Sequence, residues 1–93
     1  MMDIKIKKYE NKFYIGDDIN DPLAEITFFF SDDKTITIDH TYVSDALKGK
    51  GIASQLLDKV VEYARNETYK IVPLCSFAVK KLKESDKYRD VLK

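Results

Sequence analysis

The stretch Lys48-Gly49-Lys50-Gly51-Ile52-Ala53 is where this chain first points to chemistry. It holds two of the three glycines, between a β-like run ending near Val43 and an amphipathic run that continues to about Glu67. Glycine ahead of a helix lets backbone N–H groups approach a ligand closely, and the helix N-terminus adds partial positive charge. Strand, glycine turn and helix make an anion cradle, most often for phosphate. The spacing is neither a Walker loop nor the Gly-x-Gly-x-x-Gly dinucleotide fingerprint. Two further side chains carry reactivity. Cys75, the single cysteine, precedes a last helix whose dipole favours the thiolate. His40, the single histidine, lies near the end of the fourth strand. Cysteine with histidine is a nucleophile–base combination. Each also has an ordinary reading: a lone cysteine is commonly a small buried hydrophobe, and a histidine beside Ile38 and Tyr42 a satisfied core or surface residue.

The elements that must position these groups are read from periodicity. Ile4, Ile6 and Lys8 alternate with Lys5 and Lys7 as a first strand, Glu10-Asn11 makes a hairpin turn, and residues 12–15 form a second strand. Gly16-Asp17-Asp18-Ile19-Asn20-Asp21-Pro22 is a loop. Residues 23–30 form a third strand with Ala24, Ile26, Phe28 and Phe30 on one face and Leu23, Glu25, Thr27 and Phe29 on the other. Bulk on both faces predicts a central strand covered on both sides, with Phe28-Phe29-Phe30 in the core. Residues 35–43 form a fourth strand, rich in Thr and Ile. Regular alternation places Ile36, Ile38, His40 and Tyr42 on one face and Thr37, Asp39, Thr41 and Val43 on the other, so Asp39 is not paired with His40.

Ile52, Leu56, Leu57, Val60, Val61 and Ala64 then recur at helical spacing, a stripe that must bury on the sheet. Residues 70–74 read as a short strand whose Pro73 predicts an edge or bend. Ser76 or Cys75 starts a last helix, with Phe77, Ala78 and Leu82 inward and Lys80, Lys81 and Lys83 outward. Tyr88, Val91 and Leu92 are docking points of the tail. The fold class is α+β in the order ββββαβα. Short connections make the first four strands antiparallel, and a crossover helix makes the fifth parallel to the fourth.

Ninety-three residues predict one domain, 1–93, with a single modest core. Sixteen basic and sixteen acidic residues balance to zero, which argues against a nucleic-acid partner. No apolar run approaches the ~20 residues that span a bilayer, and Met1-Met2-Asp3-Ile4-Lys5 has no signal-peptide core. One cysteine allows neither an internal disulfide nor a cysteine-built zinc site. Asp17-Asp18 and Asp32-Asp33 are turn acids without metal-ligand spacing. The expected location is cytoplasmic, with no membrane partner.

Val43-Ser44-Asp45-Ala46-Leu47-Lys48-Gly49-Lys50-Gly51-Ile52-Ala53 resembles the coenzyme A segment of the GNAT superfamily of N-acetyltransferases. There a strand ends in Val, and five residues later comes Gln/Arg-x-x-Gly-x-Gly/Ala. Here Lys48 replaces the Gln or Arg, keeping charge without guanidinium geometry, and Gly51 and Ala53 take the small-residue positions. His40-Thr41-Tyr42-Val43-Ser44-Asp45, Val72-Pro73-Leu74-Cys75-Ser76-Phe77 and Tyr88-x-Asp90-Val91 are similar to the short single-domain GNAT-like proteins. The resemblance implies a truncated GNAT-like fold whose fourth and fifth strands splay. Acetyl-CoA would be the cofactor, its diphosphate held by Lys48, Gly49, Lys50, Gly51, Ile52 and Ala53, and its pantetheine arm aligned on the backbone of Thr41, Tyr42 and Val43. It also implies His40 as general base and Cys75 as nucleophile or acid, facing the acetyl group from two sides.

Two departures stand out. The helices that full-length members carry between their first two strands are replaced by Glu10-Asn11, so the acceptor side should be open and suit an amine on a protein. Leu82 stands where many members place a general-acid tyrosine, leaving Tyr88 as the remaining phenol. Acetyl transfer to an amine is the leading expectation. A non-catalytic coenzyme A or acyl-CoA module is the alternative, and redox sensing through a mixed disulfide of Cys75 with coenzyme A a weaker third. Lys80, Lys81, Lys83 and Lys87 read as a solvated face rather than a phosphate site.

Overall fold

A computed structural model describes residues 5–93 of the chain. Five strands form one sheet in the order β1 to β5: β1 (Lys7–Tyr9), β2 (Lys12–Ile15), β3 (Ala24–Asp32), β4 (Thr35–Val43) and β5 (Lys70–Pro73). The first four are antiparallel, and β4 pairs β5 in parallel. The crossover is α1 (Ile52–Glu67), and α2 (Ser76–Lys83) follows β5. Single 3₁₀ turns span Asp45–Leu47 and Asp86–Tyr88. This is the mixed α+β fold that the periodicity predicts. β1 begins later than the alternation suggests, and Ile4 lies outside the described residues.

The helical stripe buries as expected. Ile52, Leu56, Leu57, Val60, Val61 and Ala64 pack against Phe13, Ile26, Phe28, Ile36, Ile38 and Ile71. Each Val, Leu or Ile of the stripe taken wholly from water contributes about 1.5–3 kcal/mol. Thr68, left-handed at φ 62°, ends α1, and its N–H reaches back to Ala64 O and Arg65 O. The tail closes the outer side of β5: the Ile71 N–H donates to Val91 O, the Lys93 N–H to Ile71 O, and Val91 and Tyr88 are buried. Arg65 fastens this segment through Asp90, whose carboxyl its guanidinium holds below the ordinary value.

Two expectations about faces are corrected. Among the described residues, β3 is covered on one face only. Phe28 is buried, but Phe29 and Phe30 are each 42% exposed, because no second layer lies over Phe29 and Phe30 sits at the sheet end, edge-on to Tyr69 at 5.3 Å. The alternation of β4 also breaks. Thr27 pairs His40 while its neighbour Phe28 pairs Ile38, so Asp39 is an extra residue, a β-bulge. Beyond it every side chain changes face. Ile36 and Ile38 point toward α1; His40 and Tyr42 share the opposite face with Thr27 and Glu25, while Thr41 and Val43 turn to the α1 side beside Ile26 and Ala24. Asp39 also lies on the His40 face, where its Oδ1 accepts from Thr27 Oγ1 at 2.7 Å.

Candidate active site

The site is built where β4 and β5 part. Their pairing runs from Thr35/Lys70 to Ile38/Pro73, and the Leu74 N–H donating to Ile38 O at 2.8 Å is the last rung. From 39 to 43, among the described residues, β4 is paired to β3 alone. Proline ends β5 because it has no N–H with which to continue the ladder. The chain then turns through Cys75 into α2.

The glycine loop faces this opening. Gly49 and Gly51 both adopt left-handed backbone, at φ 79° and 71°, which side chains disfavour. A Cβ at either would meet nothing within 4 Å, so the glycines serve backbone shape and leave open space in front of the helix. Gly51 is the N-cap of α1, and its carbonyl accepts from the Gln55 N–H. Among the described residues, none of the backbone N–H groups of 49–54 has an acceptor within the chain. Such groups at a helix start form an anion site. A cleft of about 240 Å³ lies against them, lined by Val43, Leu47, Lys48, Gly49, Gly51, Ile52, Ala53, Ser54 and Phe77. It joins the loop to the end of β4 and the start of α2. Free amides, left-handed glycines and an apolar wall suit an elongated ligand with a phosphate end and an apolar arm.

The sequence-derived residues fall in three groups. Val43, Lys48, Gly49, Gly51, Ile52 and Ala53 line the cleft; Lys48 is ion-paired with Asp45 at 3.0 Å, and Lys50 is exposed beside them. Thr41 and Cys75 meet across the gap, Oγ1 to Sγ 3.4 Å. His40 and the Tyr42 side chain lie on the other face of the sheet. His40 Nε2 is 3.9 Å from Glu25 Oε2, and Glu25 Oε1 accepts from Lys12 Nζ at 3.1 Å. Cys75 thus has a side-chain partner on β4, and it is Thr41 rather than His40. Leu82 is buried in the core, and the Tyr88 hydroxyl donates to Asp58 Oδ1 at 3.0 Å, away from the cleft. Of the lysines on and after α2, Lys81 pairs with Glu84 and Lys87 lies over the Tyr88 ring.

Sequence reasoning missed Leu47, Ser54 and Phe77 as lining residues, Glu25 as the neighbour of His40, and Thr41 as the neighbour of Cys75. It also missed Ser44, whose buried Oγ has no hydrogen-bond partner. Residue type carries no signal for these; they follow from the bulge and from how α2 docks.

Residues 12–91 match the family described as GCN5-related N-acetyl-transferase. A solution structure of a GCN5-like protein from Staphylococcus aureus is 53% identical, with TM-score 0.84, covering all of this chain and 91% of its own. A GNAT family acetyltransferase from Elizabethkingia anophelis, with acetyl-CoA bound, is 24% identical with TM-score 0.58, over 83% of this chain and 51% of its own. A GNAT family N-acetyltransferase from Escherichia coli in complex with CoA is 18% identical with TM-score 0.60, over 75% of this chain and 42% of its own. The last two share the fold, and the chain spans about half the length of each. No curated protein matches. Coenzyme A is bound in the Escherichia coli structure and acetyl-CoA in the Elizabethkingia anophelis one. With a family match over most of its length and a strand seam that opens beside a glycine-started helix, the chain belongs to the GCN5-related N-acetyltransferase family.

Proposed function

We propose that this chain is an acetyl-CoA-dependent N-acetyltransferase acting on an amine of a protein, a lysine or an N-terminus. The observation that carries the reading is the row of amides at the front of α1, unpartnered among the described residues, beside the stretch of β4 that β5 leaves open. The amides of 49–54 with Lys48 and Lys50 would hold the diphosphate, and the β4 backbone at Thr41, Tyr42 and Val43 the pantetheine arm. Acetyl-CoA, when bound, supplies an acetyl group activated as a thioester. His40, exposed on the face turned away from α1, would take the proton from an acceptor amine arriving on that side. Cys75, at the N-cap of α2, would supply either a nucleophilic sulfur or the proton that a departing thiolate needs. Alignment provides most of the rate, since an amine and a thioester need little beyond positioning and deprotonation.

The test is incubation with acetyl-CoA and a lysine-peptide library, read by mass spectrometry. Acetylated peptides whose yield collapses in Cys75→Ala and His40→Ala support the assignment. A protein that binds coenzyme A and yields no acetylated peptide is instead a binding module. That second reading is favoured by one observation: neither residue offers the cleft a phenolic acid, since Leu82 lies in the core and the Tyr88 hydroxyl donates to Asp58.

A further inference from the structure

We infer that Thr41 is a positioning residue for the Cys75 thiol, holding it through its side-chain hydroxyl. This rests on the reading of Cys75 as part of the site and adds a residue to it. The Asp39 bulge turns the Thr41 side chain toward the opening between β4 and β5. Without that extra residue Thr41 would lie on the face where His40 lies now. Turned as it is, its Oγ1 stands 3.4 Å from Cys75 Sγ, 34 residues along the chain. The contact spans the seam just past its last backbone rung, Leu74 N–H to Ile38 O. Among the described residues it is the side-chain hydrogen bond that Cys75 makes.

A hydroxyl beside sulfur is both donor and acceptor. Toward the neutral thiol it can accept; toward the thiolate it donates, and hydrogen bonds to a charged partner are the stronger. Thr41 therefore offers the charged sulfur a donor and fixes its direction. Cys75 as the N-cap of α2 makes no side-chain hydrogen bond into its own helix, so the sulfur is free to take this partner on β4. Valine has the shape of threonine, so it would fill the same space without the hydroxyl.

The experiment is alkylation of the single cysteine by iodoacetamide, followed by intact mass across a pH series, for the wild type, Thr41→Val and Thr41→Ser. Loss of a hydrogen bond of this kind lowers the thiolate population by about tenfold, and the unbonded thiolate is intrinsically more nucleophilic, so the net expected slowing in Thr41→Val near neutral pH is about two- to fourfold. At alkaline pH, where the sulfur is charged in both proteins, the order reverses and Thr41→Val reacts faster. Thr41→Ser behaves as the wild type. Mere loosening of the site would speed alkylation at every pH. Identical rates in Thr41→Val and wild type, or a uniform acceleration without a crossing, overturn the inference. The reaction needs no cofactor, so its outcome is independent of whether the protein binds coenzyme A. If the crossing is found but no acetyl transfer, the proposed function fails and the role of Thr41 stands.

Discussion

The two halves of β4 are one continuous strand with opposite surroundings. Residues 35–38 are bonded to β3 on one side and β5 on the other, and all four are buried. Residues 39–43 keep β3 but, among the described residues, have no strand on the second side, and none is fully buried. The closed half contributes packing. The open half leaves backbone groups unpaired beside a cleft, an arrangement that folding alone does not reward. The bulge at Asp39 marks the change between them. It separates the residues of the open half, His40 and Tyr42 to one face, Thr41 and Val43 to the other.

The largest effect that would break this contrast is expected at the cradle facing the open half. Gly51→Asp should abolish coenzyme A binding, a drop of roughly 1000-fold or more by calorimetry, because a carboxylate enters the anion site. Unchanged affinity would remove the reason for the open half. Next comes the closed half. Ile38→Ala should destabilise the fold by about 2–4 kcal/mol in urea unfolding, as truncation of a wholly buried isoleucine does. Tyr42→Ala, in the open half, should stay within about 0.5 kcal/mol of the wild type. Equal losses would mean that the halves do not differ. The smallest effect concerns the tail that seals the far side of β5. The Arg65 guanidinium lowers the Asp90 carboxyl below 3.8, so this pair stabilises the fold above the unfolded carboxylate value and loses its contribution as pH falls through the lower folded value. Arg65→Ala should therefore shift the urea midpoint slightly near pH 7 and by less as acid protonates Asp90. Both groups are exposed, so salt should shrink the neutral-pH difference as well. A shift that grows with acid would contradict the assignment.

Much of this was legible in the sequence because it follows from periodicity. The helical stripe from Ile52 to Ala64, the strand order and the parallel seam need only apolar spacing and connection length. The glycine loop was legible because Gly49 and Gly51 are the residues that left-handed backbone selects. The bulge was not, since Asp39 is an ordinary strand-surface residue and one extra position leaves no mark on composition. Every statement about which face His40 or Thr41 occupies hung on it. The exposed Phe29 was misread for a related reason: bulk on a strand shows that a cover would be favourable, not that the chain has one to give.

The bulge also leaves the molecule with a built-in pair of probes. Because the chain has one imidazole and one sulfhydryl, and the extra residue in β4 sends the first to one side of the sheet while the second meets the strand from the other, each compartment carries a chemically unique reporter. A single histidine resonance watches the surface where an amine would arrive. A single attachable thiol watches the slot where a pantetheine would enter, and the two can be followed separately in one sample.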